Sequence, residues 1–424
     1  MRLSVAAWAA LAALAAPLAT ASPAAADGVL CDGIEPDTRP VAASDNAHLP
    51  FELLGVARAT ELLEARGTSP GEGVRVAVVD NGVAAPGPLV SLPLADLRYG
   101  PDRPVVDGHG TIIAGLVAGG ERAAGGPTGI APAAEIVDVR VYDEGLEGGG
   151  GIGQGEVVAA LEWLAQNAER EGIGVVVTAF DMPPSAELRR AVAALSRQDV
   201  VIVAGSGNRP ADENQAGFGQ FGTQRPGEDA VDEIFPAGYV DDVFAVSATA
   251  DGVPVEGGAV ADASRTVLLS SAIDAAVPVW GAVTLAPNGS TCVLDQVATS
   301  WAAGIAGGVV ALVRSAYPEE NAAQIEARLR ATASGSLSTP TTATGAGVLQ
   351  PVEALTQDLA PTRTGAIDDM PRERVVQPRI TAPRPDPDPV AGTLADARWW
   401  GLVGGTAVVV ALLVRPLLAR RREG

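Results

Sequence analysis

The chain contains no lysine: all 29 of its basic residues are arginine, set against 51 acidic ones. The resulting net charge of −22 excludes nucleic acid as a partner, because a phosphate backbone calls for a cationic surface. Aromatic residues make up only 4% of the sequence, and there are just two histidines and two cysteines. No group of ligating residues with metal-site spacing stands out, and no cofactor is expected. What is plentiful is alanine and glycine, within a hydrophobic content of 47% that is ample for a core. The all-arginine usage points to a GC-rich genome more than to a function. At 424 residues there is room for one large domain, or two ordinary ones, plus terminal segments.

The two ends differ from the body. Residues 1–26 read as a secretory signal: Arg2, an apolar run from Val5 to Leu18, and small residues Ala24, Ala25 and Ala26 before Asp27, with cleavage after Ala21 as an alternative. Cys31 does not read as a lipidation site, since the large Leu30 precedes it. At the other end, Trp399 and Trp400 open an apolar stretch that is followed by Arg420, Arg421 and Arg422. Residues 397–419 are long enough to cross a bilayer core of about 30 Å. The arginines put the tail, 420–424, in the cytoplasm, so the remainder is expected outside the plasma membrane. Residues 359–396 are rich in proline and arginine and read as an extended linker.

Between an N-terminal extension (27–65) and that linker, residues 66–358 alternate short apolar runs with amphipathic ones. Strands are expected at 74–80, 135–143, 174–180, 199–207 and 240–248, and helices at 155–170 and 185–197. This pattern predicts an α/β domain with a mainly parallel sheet, with chemistry gathered at the carboxyl ends of the strands.

Three residues suit acyl-transfer chemistry. Asp80 closes the first buried strand, His109 opens an apolar helix in "VVDGHGTIIAGLVAGG", and Ser300 sits at the mouth of another in "ATSWAAGIAGGVVALV". Taken alone, Ser300 is either a helix cap or a nucleophile. The order Asp, His, Ser is that of one of the known triads, in which the base takes the serine proton and the carboxylate holds the imidazole tautomer. His48, the other histidine, lies in the polar stretch "SDNAHLPFELLG" and reads as a surface residue.

From Gly73 to about Ala333 the sequence resembles the subtilisin-like serine proteases. "VRVAVVDNGV" is similar to the family's Asp motif, "GHGTIIAGLVAG" to its His motif, and "ATSWAAGIAGGVVALV" stands at its Ser motif. The resemblance implies the three-layer subtilisin-like fold, peptide-bond hydrolysis, catalytic roles for Asp80, His109 and Ser300, and an oxyanion role for Asn208 in "VVIVAGSGN". Signal peptide, extension, proline-rich linker and single C-terminal helix together resemble the mycosins, membrane-anchored subtilases associated with type VII secretion. That adds a membrane secretion complex as an implied partner beside a protein or peptide substrate. Calcium, common in the wider family, is left open by the sequence.

There are departures from the family pattern. Ala298 replaces a glycine, Trp301 a different aromatic, Gly304 a proline, and Asn81 a small hydroxyl residue. If the family glycine needs a conformation open only to glycine, Ala298 strains the turn that carries Ser300. "VVVTAFDMPP" stands where the family has a strand that pairs with substrate, and Pro183 and Pro184 cannot donate hydrogen bonds there. These changes keep open a second function, that of a pseudoprotease scaffold in a secretion complex. Gly148, Gly150 and Gly153 form a G-x-G-x-x-G spacing, but Glu144 and Glu147 crowd it and a surface loop is the better reading. The two cysteines suit an oxidising compartment. A Cys31–Cys292 bond would tie the extension to the segment before Ser300; two separate thiols are the alternative.

Overall fold

A computed structural model of the chain describes residues 29–40, 47–84, 91–92, 104–122, 125–143, 152–210, 219–255, 261–367 and 391–420. The signal sequence expected at 1–26, most of the linker, residues 421–424, and Gly148 and Gly150 of the glycine-rich loop lie outside these. Runs of valine and alanine form strands that are buried on both sides. Among the described residues seven strands make one sheet: β1 Arg75–Asp80, β2 Ser91–Leu92, β3 Glu135–Arg140, β4 Ile173–Thr178, β5 Val201–Gly205, β6 Phe244–Thr249 and β7 Ile273–Pro278. The order is β2-β3-β1-β4-β5-β6-β7 and every pairing is parallel.

The two-residue period of a strand divides the interior into two cores. Val76, Val78, Val175, Val177, Val201 and Val203 face one core, shared with α3 (His109–Ala118) and α6 (Thr299–Ala316). Ala77, Val79, Val176 and Ile202 face the other, covered by α4 (Gln154–Glu171) and α5 (Ala186–Ser196). This is the expected three-layer arrangement, with the five expected strands and both expected helices in place. In α6 nearly every residue is buried, and its glycines let neighbours approach closely. A Cβ at Gly307 would lie 2.5 Å from Val177, and one at Gly308 2.9 Å from Ile130.

Around this frame, α7 (Ala322–Thr332) and α8 (Pro351–Thr356) complete the first face, and a short antiparallel hairpin joins β8 (Val283–Leu285) to β9 (Thr291–Val293). The N-terminal extension is built into the same core. Leu54, between α1 (Leu49–Leu53) and α2 (Val56–Glu64), packs there with Val56, Ala59 and Leu63 of α2 and with Cys31. Residues 29–31 run parallel to β9: Cys31 N–H donates to Val293 O (3.1 Å), and Val293 N–H to Val29 O (2.9 Å). Beside this pairing, Cys31 and Cys292 form a disulfide, closing a sequence separation of 261 residues. A separate helix, Ala391–Arg420, starts inside the segment read as linker; its apolar stretch, Asp396–Arg415, has a mean hydropathy of 1.6.

His48 corrects the sequence reading, because it is buried. Its Nε2 lies 3.3 Å from Thr128 O and its ring stacks on Phe51 at 3.5 Å between centroids. Burial, with Arg122 nearby, lowers its pKa from 6.5 to about 3, against the pull of the Thr128 carbonyl. Between those two values the unfolded chain binds a proton that the folded chain does not. Stability therefore falls as pH drops from 6.5 toward 3. The loss is expected to reach on the order of a few kcal/mol at the acid end. Thermal denaturation across that window should show a steep wild-type slope that His48→Leu flattens; equal slopes would contradict the assignment.

Candidate active site

Asp80 ends β1 at its carboxyl edge and is fully buried. A carboxylate so placed must find donors, and three reach it. The Asn81 N–H donates to Oδ1 at 2.8 Å and the Tyr142 hydroxyl at 2.9 Å. The His109 Nδ1 sits 2.9 and 3.0 Å from the two carboxylate oxygens, so Nδ1 carries the proton and Nε2 is left free. Burial and the Asp80 charge push the Tyr142 phenol well above its usual range, which keeps it a donor.

His109 is the first residue of α3, and its own N–H donates to Asp107 Oδ1 (2.8 Å). The helix can start this close to β1 only because residue 110 is glycine: a Cβ there would lie 2.5 Å from Gly82 O and 3.1 Å from Asp80 Cβ. Asn81 completes the joint, its Oδ1 accepting from Gly110 N–H at 2.9 Å. Burial opposes the His109 charge, but Asp80, Asp107 and Asp181 together outweigh it, and the pKa is raised above 6.5.

Ser300 is not the cap of α6. The N-cap is Ala298, and Ser300 is the second residue of the first turn, buried and, among the described residues, without a side-chain hydrogen bond. Asn208 supplies the cap instead, from another part of the chain: its Oδ1 accepts from Thr299 N–H (2.8 Å) and from Thr299 Oγ1 (3.3 Å). Because the oxygen is engaged by a backbone donor, the free end of the amide is its NH₂. The Ser300 N–H belongs to the first turn, where a helix leaves its donors unused. On the other side of Ser300, the Trp301 ring lies 5.0 Å from the His109 ring. Asp80 and His109 are thus in direct contact, while Ser300 is placed by neighbours that touch Asn208 and His109.

Arg209 anchors the Asn208 turn. Its buried guanidinium grips Glu228 in two bonds (2.7 and 3.1 Å) and also donates to Ser264 O and Phe221 O. The strain expected at Ala298 is absent: its φ and ψ of −139° and 145° are extended values open to any residue. Gly304 faces α3, and a Cβ there would sit 3.1 Å from Leu116. Sequence reasoning passed over Tyr142, Asp107, Thr299 and Asp181. The β1–β3 register carried the signal for Tyr142, since Asp80 pairs with Arg140 and places the next residues beside it.

The chain matches a protein-family model described as the Subtilase family over residues 71–357. It is 31% identical to Mycosin-3 of Mycobacterium tuberculosis over 84% of this chain and 81% of that one. To Mycosin-1 of the same organism it is 28% identical, over 93% and 90%. Among solved structures it is similar to the MycP3 protease from the type VII (ESX-3) secretion system. That match has 25% identity and a TM-score of 0.55, and it covers 78% of this chain and 92% of the other.

With only two histidines, a proton NMR titration can separate them. One imidazole should titrate above 6.5 and the other only near 3, and Asp80→Asn should lower the higher value alone. A pair that both titrate near 6.5 would contradict the site as described.

Proposed function

Because the chain belongs to the subtilase family, and within it to the mycosins, we propose that it is a membrane-anchored serine endopeptidase of a type VII secretion system. The observation that carries the chemistry is the Asp80–His109 pair set beside a first-turn serine that caps nothing. His109 Nε2 takes the proton of Ser300 as its oxygen attacks the scissile carbonyl. Asp80 holds the reactive tautomer and balances the imidazolium. The Asn208 NH₂ and the Ser300 N–H donate to the oxyanion of the tetrahedral intermediate. His109 then gives the proton to the leaving amine, and water repeats the cycle to free Ser300.

The location follows from the two ends. The signal sequence exports the domain, Asp396–Arg415 spans the bilayer, and the arginines at 420–422 remain in the cytoplasm. Association with secretion machinery draws on the mycosin relatives and on the ESX-3 protease. The scaffold alternative loses one of its three supports with the unstrained backbone at Ala298.

Asn208→Asp is the discriminating variant. It keeps the oxygen that caps Thr299 but removes the NH₂ and sets a carboxylate against the oxyanion, so the melting temperature should hold while kcat on cleaved peptides falls by at least about 10²–10³, the loss typical of one oxyanion donor. Ser300→Asn should abolish cleavage in a folded protein, and Ala298→Gly should change turnover little. Wild-type protein that cleaves no member of a broad peptide library would return the scaffold reading. Deleting residues 397–424 should release an active domain into the medium; a domain still held by the membrane would show another anchor.

A further inference from the structure

One charged side chain at this site has no part in the chemistry above. Asp181 follows β4 by three residues, at the carboxyl edge where β4 is the neighbour of β1 and hence of Asp80. Its main chain is fixed on both sides. Phe180 is buried in the core, and Met182 exchanges backbone hydrogen bonds with Phe235 at 2.9 and 3.2 Å. Pro183 and Pro184 follow and bring no N–H that could turn back onto the carboxylate. The Asp181 side chain is half-buried and, among the described residues, receives no hydrogen bond.

A carboxylate partly withdrawn from water and without a protein donor is costly to keep ionised. Burial raises the Asp181 pKa to about 6, and what opposes this is the positive charge of His109. That support vanishes in the working state, because a general base must be neutral before it takes the serine proton. Asp80, Asp107 and Asp181 then surround an uncharged imidazole, and Asp181 alone of the three has no donor. A carboxylate without a donor beside a neutral imidazole suits a positive charge that arrives with the substrate.

We propose that Asp181 is a substrate-binding residue that selects a cationic group beside the scissile bond: an Arg or Lys side chain, or the ammonium of a peptide N-terminus. This rests on the catalytic reading of Asp80, His109 and Ser300. A charge-assisted hydrogen bond in a half-buried site is strong enough to favour such substrates by about tenfold or more over neutral isosteres. The altered strand "VVVTAFDMPP" is then a specificity element. With Met182 already paired to Phe235 and no N–H at Pro183 or Pro184, the segment gives up backbone pairing with substrate and offers a fixed charge in its place.

The test uses the full-length protein in detergent and peptidyl diphenyl phosphonates that modify a catalytic serine. Arg, Lys, citrulline and Glu are placed in turn at each position, on peptides with free or acetylated N-termini, and the rate of Ser300 modification is read by mass spectrometry. At one position, or at the free terminus, the cationic probe should react about tenfold faster than its neutral counterpart. Asp181→Asn should bring that ratio to about one, and Asp181→Lys should turn it in favour of Glu. The free and acetylated arms tell a side chain from a terminus. Probes that modify Ser300 with no preference for cations anywhere would overturn this inference and leave the protease reading standing. No modification of Ser300 by any probe would overturn both.

Discussion

A carboxylate with no access to water, Asp80, is the constraint on which the site depends. Removing such a charge from water costs several kcal/mol unless fixed donors replace the solvent. Here the donors come from three segments: the turn after β1 through Asn81, the stretch beyond β3 through Tyr142, and the start of α3 through His109. Each must arrive within about 3 Å, and the neighbouring sequence is shaped by that demand. Gly110 lets the helix come close, and Asn81 caps the joint. The same interaction that makes a buried charge tolerable sets the tautomer of His109 and raises its pKa, so folding and the proposed chemistry share one set of hydrogen bonds.

A second lock joins the sheet to α6. The Asn208 amide accepts from Thr299 N–H, and the Thr299 hydroxyl accepts from Gly207 N–H at 3.2 Å. The turn on one side of this lock is held by the buried Arg209–Glu228 pair. The helix on the other side is held by packing along nearly its whole length. In the proposed mechanism a mobile nucleophile would lose the advantage of preorganisation, and Ser300 is instead held between two elements that are each independently fixed.

Much of this was legible in the sequence. Strands buried on both faces announce themselves as unbroken runs of Val and Ala, as in "VRVAVVD" and "DVVIVAGSG", and the order of Asp80, His109 and Ser300 along the chain was plain. What was not legible depends on segments remote from one another. His48 looked exposed because its neighbours are polar, but Thr128 and Phe51 bury it. Ala298 looked strained because its identity departs from the family pattern, whereas strain is decided by φ, which is extended here. Whether Ser300 was a cap could not be read locally, since the cap comes from Asn208, 91 residues away from Thr299. Strand β7, "IDAAVP", and the three-residue strands of the hairpin were too short or too rich in alanine to give a periodic signal.

The central claim is that Asp80 and His109 activate Ser300. The pH dependence of Ser300 modification by a small neutral fluorophosphonate, with the adduct located by mass spectrometry, tests it most directly. The adduct should fall on Ser300, and its rate should rise through an acid limb set by the His109 pKa, above 6.5. A folded protein that carries no adduct, or one whose Ser300 reacts at a rate indifferent to pH, would contradict it.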